Sequence, residues 1–222
     1  MNADEKIFYQ DGVIAPLKEY YDRYDMKWLS DRVDSGADLT FVTFWIADPG
    51  NENREFSQWY QGKPFGINGR TYYTAEQYMM SEKALMFNDF DKYVRIMNSK
   101  DPQVCKQIGR ELIVGFDGKR WGRAAREVVF RGNLGKFQSD ASLMDKLLST
   151  GDAVLVEASP LDTIYGAGLT REELLNHDGT LKVHPKDWHT KKKPTEQSES
   201  KLGFILMGLR DLFRDLMQVS EK

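Results

Sequence analysis

Residues 74–87, Thr-Ala-Glu-Gln-Tyr-Met-Met-Ser-Glu-Lys-Ala-Leu-Met-Phe, form a helix only by setting two charges among apolar side chains. At about 100° per residue, Glu76 at zero puts Lys83 at about 340°, Met80 at about 40° and Phe87 at about 20°. Met79 and Met86 share that arc, and Gln77, Ser81 and Glu82 lie on the other side as the expected solvent face. A helical rise of about 10 Å separates Glu76 from Lys83, too long for an i,i+4 ion pair. Burying an unpartnered charge is costly. Each therefore meets another group, a substrate among the candidates, or sits at the stripe's edge and reaches water along its own methylenes.

The rest of the chain bounds the class of protein. Its 222 residues fit one large domain or two small ones and bury a core without covalent staples. A single cysteine, Cys105, excludes an internal disulfide and suits a reducing compartment. The start, Met-Asn-Ala-Asp-Glu-Lys, lacks the basic-then-apolar pattern of a signal peptide. No apolar run approaches the roughly 20 residues that span a bilayer, so a cytoplasmic protein is expected, with no membrane partner. The net charge of −3 argues against tight nonspecific binding to nucleic acid, while leaving room for a local basic groove.

Punctuation along the chain predicts a mainly helical α+β fold. An irregular N-terminal extension, 1–37, holds a short helix near Leu17–Trp28, and a catalytic domain over 38–222 follows it. Leu39–Ile46 is β-branched and aromatic and reads as a strand. Asn68-Gly69 between Pro-Phe-Gly-Ile and Arg-Thr-Tyr-Tyr reads as a hairpin turn. Thr74 and Gln77 form a capping box. Helical patterns cover 74–87, 89–98, 101–114, 121–132 and 140–149, with Pro102 at a first helical position. Ala153–Ala158 is a short strand. The polar stretch 177–199 reads as a mobile loop, and Leu202, Ile205, Leu206, Leu209, Phe213 and Leu216 mark a core-facing last helix.

The familiar phosphate-loop, dinucleotide and serine-hydrolase motifs are absent. His177, His184 and His189 match no zinc spacing, and no metal is expected. Cys105 lies in a helical pattern and reads as a structural thiol. Polar groups at element junctions remain. Asp162, after the Ser159-Pro160 break and beside Tyr165 and Gly166, is a candidate acid, base or sugar ligand, or else the cap of an Asx-turn. Arg110 offers a fork for phosphate and Trp121 a flat face for a base or ribose; the alternatives are a salt bridge and a core indole.

Taken in order, Phe56-Ser57, Pro64-Phe65-x-Ile-x-Gly69, Tyr73-Thr-Ala-Glu-Gln-Tyr-Met-Met-Ser-Glu-Lys83-Ala and Asp101-Pro102 resemble the NADAR, or YbiA-like, family. The likeness continues through Gly109-Arg110, Trp121, Lys136-Phe137, Leu147-Leu-Ser-Thr-Gly151, Glu157-Ala-Ser-Pro160, Asp162, Gly166-x-Gly168-Leu169 and Leu202-Gly203-x-x-Leu-Met207 with Arg210. It spans about residues 40–217 and is similar to a single YbiA-like domain with a small sheet. Three departures stand out: Tyr165 where the family has Trp, Gln58 where it has Asn, and Ser200 where it has Asn.

The resemblance implies N-glycosidase chemistry on ribosylated bases. The expected reaction removes ADP-ribose from ADP-ribosylated guanine in DNA or RNA. The alternatives are hydrolysis of ribosylamino-pyrimidine phosphates of riboflavin synthesis and a non-catalytic ADP-ribose reader. By position Glu76, Lys83, Trp121 and Asp162 match the family's active-site residues. Lys83 is expected as nucleophile, because a desolvated lysine attacks C1 of a ring-opened sugar. Glu76 is its acid/base partner and Asp162 orients the ribose. Arg110, Trp121, Tyr165 and Gly166 bind substrate, and no cofactor is required.

Overall fold

The structure, a computed structural model, describes residues 17–47, 49–111 and 113–220; the first sixteen residues of the expected N-terminal extension lie outside them. The described chain is α+β and mainly helical, with two two-stranded sheets. It divides into two compact units that alternate in sequence, one built on 58–144 and the other on 18–57 with 145–222.

The first unit starts with the hairpin β2 (Phe65–Ile67) and β3 (Arg70–Tyr72). Its turn works because Asn68 and Gly69 both take positive φ, 51° and 73°, which matches the twist of the flanking strands. Phe65, Tyr72 and Tyr78 form a buried cluster under Ile67, Met97 and Val128. Helix α3 (Ala75–Met86) follows, and α4 (Phe90–Met97), α5 (Pro102–Arg110) and α6 (Gly118–Gln138) pack around it. Thr74 caps α3, but the Gln77 carboxamide accepts from the Tyr73 N–H at 2.8 Å, one residue before the box position.

Surrounded in this way, α3 has no solvent face, and the expected polar side is overturned. Gln77 and Ser81 are fully buried and Glu82 is partly buried. Gln77 instead ties the helix to the end of α4, donating to the Ile96 and Ser99 carbonyls at 3.2 and 2.8 Å. Burial raises the Glu82 carboxyl pKa, opposed by the charges of Arg70 and Arg131. Helix α5 stops at Arg110 rather than 114, because Glu111 turns extended. Helix α6 begins at Gly118, three residues before the expected start, since Asp117 Oδ1 accepts the Lys119 and Arg120 N–H groups at 2.8 and 3.1 Å. It runs on to Gln138 because Leu134 and Phe137 continue the buried stripe.

The second unit pairs β1 (Phe41–Phe44) with β4 (Val154–Glu157) in parallel, Phe41 opposite Val154. Its other helices are α1 (Lys18–Tyr21), α2 (Met26–Asp34), α8 (Arg171–Leu174) and α9 (Lys201–Ser220). The boundary between units falls inside α7 (Ala141–Ser149). Helix α9 lies directly on the strand and on α1: a Cβ at Gly203 would strike the Leu155 carbonyl, and one at Gly208 the Tyr20 carbonyl. Tyr20 and Tyr24 donate to Asp215 and Asp211 at 2.8 and 2.6 Å, and burial pushes both phenols up to about 12. No helix among the described residues is long and apolar enough to cross a membrane.

Candidate active site

The first turn of α3 carries Glu76 inward, where it is 5% exposed. Two of the four N–H groups that a helix start leaves unpaired are satisfied here. Thr74 Oγ1 takes that of Gln77 at 3.1 Å, and the Gln58 carbonyl takes that of Glu76 at 3.0 Å. The carboxylate also sits at the positive end of the helix dipole. Gln58 is held in turn: Asn133 of α6 donates to its Oε1 at 2.7 Å and to the Val129 carbonyl at 2.9 Å.

Two turns on, Lys83 Nζ donates to the Gly109 carbonyl at 2.7 Å. That oxygen is among the last four carbonyls of α5, which the helix itself cannot satisfy. The approach is close because residue 109 is glycine: a Cβ there would lie 2.9 Å from Met80 Cγ and closer still to its sulfur. The ammonium also stands 4.8 Å from the Phe116 ring centroid and 6.0 Å from that of Trp121. Burial holds the Lys83 pKa below the usual lysine value. The Arg110 charge pushes the same way and the Glu76 carboxylate opposes both. The neighbouring Cys105 is fully buried, its thiol pushed by burial up to about 11, in keeping with a structural role.

Glu76, Lys83, Arg110 and Trp121 thus converge within the first unit. Arg110 ends α5, is exposed, and has no salt bridge among the described residues, so the salt-bridge alternative does not apply. Trp121 is partly buried in the first turn of α6. Sequence reasoning passed over Phe116 and Asn133, and marked Gly109 only as part of the Gly109-Arg110 motif, without its carbonyl. The aromatic in Val-Gly-Phe-Asp-Gly, between two helical patterns, was a legible signal. Asn133 acts as a buried amide inside a helix, which carries none.

In the second unit, Asp162 Oδ1 accepts the Ile164 and Tyr165 N–H groups at 2.8 and 2.9 Å, which is the Asx-turn geometry. Gly166 leaves no room for a side chain: a Cβ would meet Ser159 Cβ at 2.9 Å and the Asp162 carbonyl at 3.0 Å. Tyr165 is partly buried between them. The stretch 177–199 is anchored on both sides of an exposed segment, 191–197, and is not solvated throughout. Trp188 is fully buried, its indole N–H donating to the Val183 carbonyl at 3.0 Å, and Ser198 Oγ donates to the Gly166 carbonyl at 2.6 Å. The Glu199, Lys201 and Leu202 N–H groups donate to the Thr163, Ile164 and Tyr165 carbonyls at 2.7, 3.0 and 3.1 Å. One buried indole and a ladder of backbone bonds outweigh the polar composition.

His184 pairs with Asp34 at 3.0 Å and His189 lies against the Thr190 carbonyl. Among the described residues no three His, Cys, Asp or Glu side chains converge as a metal-binding group.

The NADAR domain family matches residues 43–214. An N-glycosidase of Acanthamoeba polyphaga mimivirus is 39% identical over 126 residues, 54% of this chain and 73% of the relative. Escherichia coli YbiA, also named an N-glycosidase, is 26% identical over 140 residues, 63% of this chain and 82% of that one. The NMR structure of YbiA shares the fold, with a TM-score of 0.57 at 24% identity, over 79% of this chain and 86% of that one. The chloroplastic riboflavin biosynthesis protein PYRR of Zea mays is 33% identical over 117 residues, 50% of this chain and 19% of that protein. The chain belongs to the NADAR family and is an N-glycosidase of that family.

Proposed function

We propose that the protein removes ADP-ribose from ADP-ribosylated guanine in nucleic acid, by hydrolysis at C1 of the ribose, in a cytoplasmic setting. The observation that carries this reading is Lys83: a lysine with depressed basicity, near two aromatic rings and held by a backbone carbonyl, with a buried carboxylate and an exposed arginine in electrostatic reach. Arg110 suits a ligand that carries phosphate, and ADP-ribose supplies two.

In this reading Glu76 donates a proton to the ring oxygen as the C1–O bond opens, leaving an iminium between C1 and the base nitrogen. The neutral Lys83 amine adds its lone pair to C1. A proton passes from Lys83 to the base nitrogen, the C1–N bond to the base breaks, and the sugar stays on Lys83 as a protonated Schiff base. Water then adds at C1 as Glu76 takes a proton from it, and the carbinolamine collapses with its hydroxyl proton passing to nitrogen, which frees the neutral amine and the open-chain sugar. The net change is one water consumed, with ADP-ribose and unmodified guanine released. Charge developing at C1 is stabilised by the Glu76 carboxylate once it has given up its proton.

A second reading, hydrolysis of a ribosylamino-pyrimidine phosphate, draws on the likeness to the maize riboflavin protein. Borohydride trapping during turnover, with each substrate in turn, tests both. The expected result is a reduced adduct on the peptide bearing Lys83, formed with the ADP-ribosylated substrate and lost in Lys83→Arg, whose guanidinium is a poor nucleophile. An active enzyme that yields no adduct at any pH overturns the covalent step. Turnover of the pyrimidine alone overturns the substrate.

A further inference from the structure

The loop between α5 and α6 and the first turns of α6 concentrate positive charge in a chain whose net charge is −3. Residues 106–126 hold six Lys and Arg against two acids. Both acids are committed elsewhere. Glu111 forms a two-pronged pair with Arg95 at 2.7 and 2.8 Å, and Asp117 caps α6. Lys119 and Arg123 are exposed, lie four residues apart on one face of α6, and have no salt bridge among the described residues. The dipole of a 21-residue helix adds positive potential at the same end.

The same surface presents apolar groups to water. Val114 is 83% and Phe116 44% exposed, on either side of Gly115, whose φ of 74° makes the turn that a side chain would strain. Ile113 is buried and anchors the turn. Phe116 is held at one side by Phe87, 5.1 Å away, and approaches Lys83, so its ring has a fixed position with one part open. Cations that track phosphates, interleaved with a fixed aromatic face, are what a single strand of nucleic acid binds without regard to sequence. Lys119 and Arg123 each lie about 200° around α6 from Trp121, the ring that stands 6.0 Å from Lys83, so they face the flanking strand and not the modified nucleotide.

We infer that Val114, Phe116, Lys119 and Arg123 form a strand-binding surface beside Lys83, with a base next to the modified guanine on Phe116 and the flanking phosphates on Lys119 and Arg123. The inference rests on the function proposed above and says how the polymer is held. Base stacking and phosphate pairing are separable, since one is salt-independent and the other is not.

The test measures anisotropy of a fluorescent unmodified single-stranded oligonucleotide across salt concentrations, and glycosidase rates on an ADP-ribosylated oligonucleotide and on ADP-ribosylated guanosine. Lys119→Ser with Arg123→Ser should lower the slope of log affinity against log salt by about 1.4, at about 0.7 per phosphate contact. This double variant should lose kcat/KM on the oligonucleotide and keep its rate on the nucleoside. Phe116→Ala should weaken oligonucleotide binding about tenfold at every salt concentration. An unchanged slope, or equal losses on oligonucleotide and nucleoside, overturns the surface while the glycosidase reading stands. A parent protein that cleaves neither substrate overturns both.

Discussion

Gly109 joins the packing of the first unit to the chemistry proposed for Lys83, and Gly109→Ala tests that joint. The added methyl would lie 2.9 Å from Met80 Cγ and 3.2 Å from its Cβ, and closer to the sulfur, so Met80 must leave its place on α3 or α5 must back away. Met80 is 6% exposed and has little room to move. Overpacking of this kind costs roughly 1–3 kcal/mol, partly offset by the better helix propensity of alanine, by up to about 1 kcal/mol. A net loss of about 1–2 kcal/mol would lower Tm by roughly 2–8 °C in a protein of this size. The same shift moves the carbonyl that holds Lys83 Nζ at 2.7 Å, and small misplacements of a reacting group cost on the order of a hundredfold in rate. Met80→Ala vacates the space that the new methyl needs. Met80→Ala alone should cost about 2–5 kcal/mol, and the double variant should be more stable than the sum of the singles by about 1 kcal/mol or more. Urea unfolding followed by circular dichroism, with glycosidase rates on the same four proteins, completes the cycle. Additivity within about 0.5 kcal/mol, or a destabilised Gly109→Ala that turns over at the parental rate, refutes the coupling.

Glu76→Gln should keep the fold and remove most glycosidase activity, because the amide preserves shape and neither donates the proton nor carries the charge; turnover near the parental rate would sink the assignment. Arg110→Ala should move the rise of kcat/KM with pH toward alkaline values. Arg110 depresses the Lys83 pKa, so its loss raises that pKa, and the neutral amine then appears only at higher pH; a profile that stays put or moves toward acid contradicts this. Ser200 takes a φ of 45°, is 1% exposed and has a buried hydroxyl without a hydrogen bond. Ser200→Gly should therefore stabilise the protein by about 1 kcal/mol, read as a higher urea midpoint, and a lower midpoint would show that backbone strain is not what limits this turn.

Local physics made much of this molecule legible in its residue order. Asn68-Gly69 specifies a primed turn because both residues accept positive φ, and Asp101-Pro102 starts a helix because a side-chain acceptor precedes a residue with no N–H to satisfy. The periodicity of 201–216 gives a core helix, since every third or fourth residue is apolar. The 3.6-residue period also places Glu76 and Lys83 on one arc, and the order of motifs along the chain carries the family. Tertiary structure decided which faces meet water and which groups meet one another. Gln77 and Ser81 are polar yet buried, because helices pack around α3; the end of α4 supplies the carbonyls that Gln77 needs, and Ser81 donates back to the Tyr78 carbonyl of α3 itself. The stretch 177–199 has the composition of a solvated loop, yet Trp188 and a row of main-chain bonds hold it in place. The state of Lys83 belongs to the same category. A lysine in a sequence has its ordinary basicity, and only burial, the Gly109 carbonyl, the Phe116 ring and the Arg110 charge, brought from 26 to 33 residues away, change it.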